Sequence, residues 1–302
     1  MRRFILFFLI LGLGMGFSSN ASAHIGDTVY LFFEIADEDL EEFDFTDGTI
    51  EEWEEIVGEP SLLPGNFIFS ETVGDGAQYD PADMDFRIWL GWNATTDRFY
   101  YGVWRSDNVY INEYAGGNPG EIWRHDSISF KIDADHSGGP YQFSKDDFDT
   151  EEDYKLARGS HAQMFNFIPT SPDNIVVGHT TEAGEWLVSP PYSESGGAAV
   201  GQNPTILINE AYITAFDQLI YNDPEGSVVS DLFPGKIIGF ETSPSDFDTE
   251  PTAYRSFSTL SGQSGTSGES SRFVDGRLIG VSGDDTAVER NSWGRIKASF
   301  ED

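Results

Sequence analysis

The stretch "DFRIWLGWNATTDRFYYGVWRSDN" (85–108) decides the fold. Two runs rich in aromatic and β-branched residues flank "NATTD" (93–97), a connection of hairpin length, so the runs pair as antiparallel strands. Side chains alternate between the two faces of a strand. Phe86, Ile88, Leu90 and Trp92 therefore share one face of the first strand, and Phe99, Tyr101 and Val103 share one face of the second. Those sets form the core side. The opposite face carries Trp89, Tyr100 and Trp104, with Arg87 beside them. A cluster of rings on an outer face is costly unless something covers it. One cover is a polysaccharide or oligosaccharide, whose apolar C–H faces stack on flat rings while Arg87 bonds hydroxyls. The other is a second sheet or long loop of the same domain, the usual fate of large aromatics.

Strand-like runs recur outward from the hairpin: "TVYLFFEI" (28–35), "NVYINEY" (108–114), "DSISFKI" (126–132), "NIVVGHT" (174–180), "TILINEAYITAF" (205–216), "KIIGFET" (236–242), "RFVDGRLIG" (272–280) and "WGRIKASF" (293–300). Helical patterning is confined to "TIEEWEEIV" (49–57) and "DDFDTEEDYKLA" (146–157). Many short strands and few short helices predict an all-β chain, an antiparallel two-sheet β-sandwich of jelly-roll type with long loops. The Gly/Ser-rich "LSGQSGTSGESS" (260–271) and the Pro/Gly-rich "SPPYSESGGAAVGQNP" (189–204) read as loops inside one domain spanning 24–302, with insertions within 140–235. A short echo, "DFDTE" at 147–151 and again at 246–250, has no fixed period and is accounted for by chance in an Asp-rich chain.

The opening "MRRFILFFLILGLGMGFSSNASA" has the basic start, short apolar run and small-residue end of a secretory signal peptide over residues 1–23. Cleavage after Ala23 would leave His24 first and the protein secreted, extracellular or periplasmic. No later stretch approaches the length of a membrane span, so no membrane insertion is expected. With 17 basic against 52 acidic residues the formal charge is −35, which repels nucleic acid and anionic lipid and suits hard cations. The chain contains no cysteine, which excludes disulfides and a lipid-modified cysteine anchor.

The run "IDADHSGG" (132–139) ends a strand in an oxygen-rich turn. Asp133, Asp135 and Ser137, followed by Gly138, match the first half of a calcium loop, in which alternate side chains point at one centre. The position of the closing glutamate falls on Ser144, so remaining ligands would come from elsewhere, with Asp126, Asp146 and Asp147 nearest. A solvated acidic turn is the alternative to this structural calcium. The five histidines show no HxxxH or HExxH spacing, and there is no GxSxG, so zinc-hydrolase and serine-nucleophile chemistry are not indicated.

Four segments in order resemble family-9-like carbohydrate-binding modules of the wider DOMON-like β-sandwich group. They are "DFTDGTIEEW" (44–53), the 85–108 hairpin, "WRHDSISFKIDADHSGG" (123–139) and "WGRIKASF" (293–300). The matching positions are Asp47, Gly48 and Trp53; Trp92 and Asn93; Trp123, Asp126 and Ser127; and Asp133 and Asp135. The resemblance implies two packed antiparallel sheets, sugar binding through aromatic side chains, structural calcium and no catalysis. It covers about half of the chain beyond the leader, and 140–235 match nothing in it. Three other readings stand beside it. One is a haem-binding electron carrier of the same group using Met84, His161 and Met164. Another is a copper protein chelating through an amino-terminal His24. The last is a surface protein whose partner is another protein.

Overall fold

The computed structural model describes residues 24–281 apart from 26–27, 46, 73–78, 118, 173–174, 178–185 and 250–253. The leader and "WGRIKASF" lie outside the described residues. The strands are β1 (Val29–Glu34), β2 (Ile68–Thr72), β3 (Met84–Asn93), β4 (Arg98–Asp107), β5 (Ile128–Asp133), β6 (Gln163–Phe167) and β7 (Ile175–Val177). They continue with β8 (Ser193–Val200), β9 (Thr205–Thr214), β10 (Phe216–Gln218), β11 (Val228–Val229), β12 (Ile237–Asp246), β13 (Ser256–Thr259) and β14 (Val274–Ile279). Two short helices, α1 (Asp37–Leu40) and α2 (Glu151–Ala157), and one π turn, Trp53–Val57, accompany them.

Hydrogen bonding runs β7-β6-β5-β12-β14-β1-β3-β4-β9-β8, with β13 attached to β12 and β2 to β13. The hairpin read from 85–108 forms in full register, Met84 opposite Asp107 and Asn93 opposite Arg98. Pairing is antiparallel except at β1, which lies parallel to both β14 and β3. The row of strands folds over on itself as a sandwich. Tyr101 on β4 meets Phe130 on β5 at 4.9 Å and Phe167 on β6 at 5.5 Å between ring centres. Phe32 of β1, fully buried at the fold of the row, touches Phe99 at 5.6 Å and Phe240 at 4.9 Å. The hairpin residues assigned to the core side, Phe86, Ile88, Leu90, Trp92, Phe99, Tyr101 and Val103, all lie in this core.

Two segments differ from their expected state. Residues 108–114 form no strand, because their N–H groups go to side chains. Val109 donates to Asp107, Ile111 to Asp126, Glu113 to His125 Nδ1 and Tyr114 to Asn112. The stretch read as a Pro/Gly-rich loop contains β8, paired with β9 along its whole length. Its weak pattern has a physical basis: a Cβ at Gly197 would come within 2.9 Å of the Ile208 carbonyl, so close backbone approach replaces side-chain packing there. The stretch 140–235 supplies β6, β7, β8 and β9 to the main sheet.

Phe32→Ala removes the ring that three other core rings contact and should cost about 3–5 kcal/mol of unfolding free energy. Urea denaturation measures it; a loss under about 1 kcal/mol would contradict this account of the core.

Candidate functional site

The outer face of the hairpin is covered. Trp89 is 1% exposed and Tyr100 2%, packed with Ile35, Phe45, Trp53 and Tyr212 in a second apolar cluster. The cover comes from residues 36–57, including Leu40, Phe43, Ile50, Ile56 and Val57. This corrects the expected exposure of Trp89 and Tyr100. Trp104 is half-buried against the same cluster, and the Arg87 guanidinium lies 4.7 Å over its ring. The polar tips are engaged too. Trp89 Nε1 donates to the Gly58 carbonyl at 2.8 Å, and the Tyr100 hydroxyl pairs with Thr96 at 3.0 Å. Trp53 lies flat on Gly102, where a Cβ would approach its ring within 2.6 Å, and donates through Nε1 to Glu210 Oε1 at 2.9 Å. Burial pushes the Glu210 carboxyl up to about 8, so it stays protonated at neutral pH beside Asp47.

The "IDADHSGG" turn brings its residues together. Asp133 Oδ1 accepts from the Ser137 N–H, and Oδ2 accepts from the Gly138 N–H and the Ser270 hydroxyl, with His24 Nε2 at 3.2 Å. His136, Gly138 and Gly139 take left-handed backbone angles that let the N–H groups converge. Asp135 accepts from Ser137 at 3.0 Å. Against burial, these donors hold Asp133 well below the usual carboxylate range. A calcium ion on Asp133, Asp135 and Ser137 would have to displace donors that already neutralise Asp133.

A second carboxylate group stands where both layers of the sandwich end. Asp107 closes β4, Asp126 precedes β5 and Asp246 closes β12; all are essentially inaccessible, and one oxygen from each lies within 4.8 Å of the others. Asp126 accepts from the N–H groups of Ile111 and Phe247. Asp107 Oδ2 and Asp246 Oδ1, with Asp248 Oδ1 beside them, have no hydrogen-bond partner among the described residues. Two guanidiniums face the group. Arg105 reaches the carbonyls of Ser245 and Asp126, and Arg255 pairs with Asp83, Asp246 and Asp248. They leave the carboxylates undercompensated. Burial pushes Asp107 up to about 6, Asp246 up to about 7 with its acidic neighbours adding to the rise, and Asp126 well above the usual range. Oxygen separations up to 4.8 Å fit a calcium ion, whose ligands sit about 2.3–2.6 Å away.

Sequence reading named Asp126 as a nearby oxygen ligand but passed over Asp107 and the second "DFDTE", which supplies Asp246 and Asp248. Their convergence depends on the ends of non-adjacent strands. Of the residues considered for haem, Met84 packs in the main core and Met164 in a separate cluster with Tyr141, Ala162 and Phe273.

At this end of the sandwich Trp123 and Tyr254 form a half-buried pair, ring centres 6.2 Å apart, with the Tyr254 hydroxyl donating to the Trp123 carbonyl. Arg124 lies over Trp123 at 5.3 Å and pairs with Glu121.

No family model and no curated protein matches the sequence. The structure is similar to a family 9 carbohydrate-binding module from Caldicellulosiruptor kristjanssonii solved with cellotriose, at 14% identity and TM-score 0.48 over 86% of this chain and 98% of that one. A module of the same family and organism solved with glucose matches at 15% identity and TM-score 0.43 over 73% and 85%. A proposed carbohydrate-binding protein from Bacteroides uniformis matches at 12% and 0.39 over 83% and 99%.

Raised carboxyl values mean that the folded chain holds more protons than the unfolded one between about pH 4 and pH 7, so stability contributed by these groups is lost as pH rises through that window. In EDTA, the melting temperature should fall across it, and Asp246→Asn should flatten the fall. A melting temperature that is level or rises from pH 4 to 7 would refute the reading.

Proposed function

We propose that this chain is a secreted, non-catalytic carbohydrate-binding β-sandwich whose sugar-facing end is braced by calcium on Asp107, Asp126 and Asp246. The observation that carries the sugar reading is the half-buried Trp123–Tyr254 pair, with Arg124, Glu121, Arg255 and Asp248 near it. Rings of this kind stack on the C–H faces of a pyranose, and the surrounding ions bond its hydroxyls. Calcium suits the second group of carboxylates because every ligand atom there is a hard oxygen and two of the oxygens await a positive partner. Residue Asp126 connects the two features. It sits three positions after Trp123 and accepts from the N–H beside Asp246, so an ion on it fixes the turn that carries the indole.

Two measurements test this. With calcium at a hundredfold excess over its dissociation constant, binding to the folded state alone contributes about 2.7 kcal/mol, roughly 5–10 °C for a domain of this size. Asp107→Asn combined with Asp246→Asn should abolish that rise. In calcium, the protein should be retained on insoluble cellulose or another member of a broad glycan panel, and Trp123→Ala should lose retention while keeping its far-ultraviolet circular dichroism and cooperative melting. Absence of retention on every glycan would end the sugar reading, and absence of a calcium-dependent rise in melting temperature would end the ion's part.

A further inference from the structure

The far end of β5 and β12 holds a cluster of different chemistry. Asp133, Gly239 and Asp275 lie side by side across β5, β12 and β14, each opposite the next in the ladder. The glycine in the middle leaves a socket. A Cβ at Gly239 would fall 2.2 Å from His24 Nε2, so the imidazole occupies the space a side chain would fill. From there His24 Nε2 stands 3.2 Å from Asp133 Oδ2, and Nδ1 stands 3.8 Å from Asp275 Oδ1. His136 Nε2 approaches the same Asp275 oxygen at 2.9 Å, and the two imidazoles are 4.1 Å apart between centres. The Ile25 N–H donates to the Phe273 carbonyl at 2.8 Å and anchors the chain just beyond the ring.

Asp133 is the group that gives this cluster its direction. Ionised and fed by Ser137, Gly138 and Ser270, it stands 3.2 Å from His24 Nε2 and fixes the rotation of the ring. The other nitrogen, Nδ1, faces a carboxylate that also faces His136. Carboxylate-to-histidine support of this form is what orients imidazole ligands around metal ions.

We propose that His24 Nδ1, His136 Nε2 and Asp275 Oδ1 form a binding site for a late first-row transition ion, Cu²⁺ in preference to Zn²⁺, and that the α-amine of His24 completes it when the chain begins there. One ligand atom from each of the three side chains lies within 4.8 Å of the others, and opposite ligands around such an ion are about 4 Å apart, so a slight shift of the half-exposed His136 closes the shell. Two imidazoles select against calcium and magnesium, and the order of divalent affinities places copper first. An amine on His24 would close a six-membered chelate ring through Nδ1, the nitrogen turned away from Asp133 toward Asp275.

The test uses the chain released at His24 by a scarless protease fusion, its first residue confirmed by mass spectrometry, and a second chain that retains Ala23. Both are titrated with Cu²⁺ and Zn²⁺ in millimolar calcium, which occupies the many surface carboxylates. The expected result is one Cu²⁺ per chain, with nitrogen superhyperfine structure in the electron paramagnetic resonance spectrum. Affinity should drop roughly hundredfold or more in His136→Gln and in Asp275→Asn, and at least about tenfold in the Ala23 chain. An oxygen-only copper spectrum from the wild-type chain overturns the site, whether or not the variants fold. So does a folded His136→Gln, Asp275→Asn double variant with copper affinity within threefold of wild type. Equal affinity of the two chain forms overturns the part given to the amine.

Discussion

Like charges in a dry pocket are the constraint on which this sandwich turns. Asp107 comes from the layer containing β3, β4 and β9, whereas Asp126 and Asp246 come from the layer containing β5 and β12, and all three are shut away from water where the layers end together. Desolvating one carboxylate is expensive, and each neighbour raises the expense for the next. Arg105 supplies part of the compensation by crossing from β4 to the carbonyls of Asp126 and Ser245. Arg255 supplies a further part through Asp246 and Asp248, and the remainder must come from protons or from a cation. Because ligands from both layers meet there, whatever neutralises the group also ties the layers to each other.

The hairpin at 85–108 shows how far alternation reaches and where it stops. Period two assigned each ring to the correct face of the strand, and every residue given to the core side is there. It carries no information on what lies over the other face. That depends on Phe43, Phe45 and Trp53, which sit in a stretch with one π turn and little regular periodicity. The same limit applied to β8, whose glycines pack backbone against backbone. It also applied to the acidic turn, where the two aspartates were legible but the histidine that meets Asp133 is 109 positions away. Local chemistry was readable, whereas partners brought in by strand order were not.

Two glycines on separate strands perform one task. Gly102 on β4 receives the Trp53 indole, and Gly239 on β12 receives the His24 imidazole; in each case a Cβ would collide with the ring. Each ring then bonds an acidic residue on a neighbouring strand, Glu210 on β9 and Asp133 on β5. A segment from outside the ladder is thereby keyed to the sheet by an aromatic ring in a glycine socket, with a buried acid fixing its rotation. Glu210 and Asp133 differ in what else they receive. Glu210 has the indole N–H and keeps its proton, while Asp133 has several donors and loses it.

That difference separates the two ends of the molecule. From Asp126 to Asp133 is seven residues of nearly extended chain, roughly 23 Å at about 3.3 Å per residue. At one end the donors are oxygens only, and undercompensated charge attracts any hard cation that fits. At the other an ionised aspartate holds one nitrogen of a buried histidine, and the second nitrogen faces Asp275 beside another imidazole. A chain of formal charge −35 concentrates cations of every kind near its surface, so net charge cannot discriminate among them. Discrimination requires ligand softness and fixed geometry, and among the described residues it is the end with the glycine socket that sets two imidazoles beside a carboxylate.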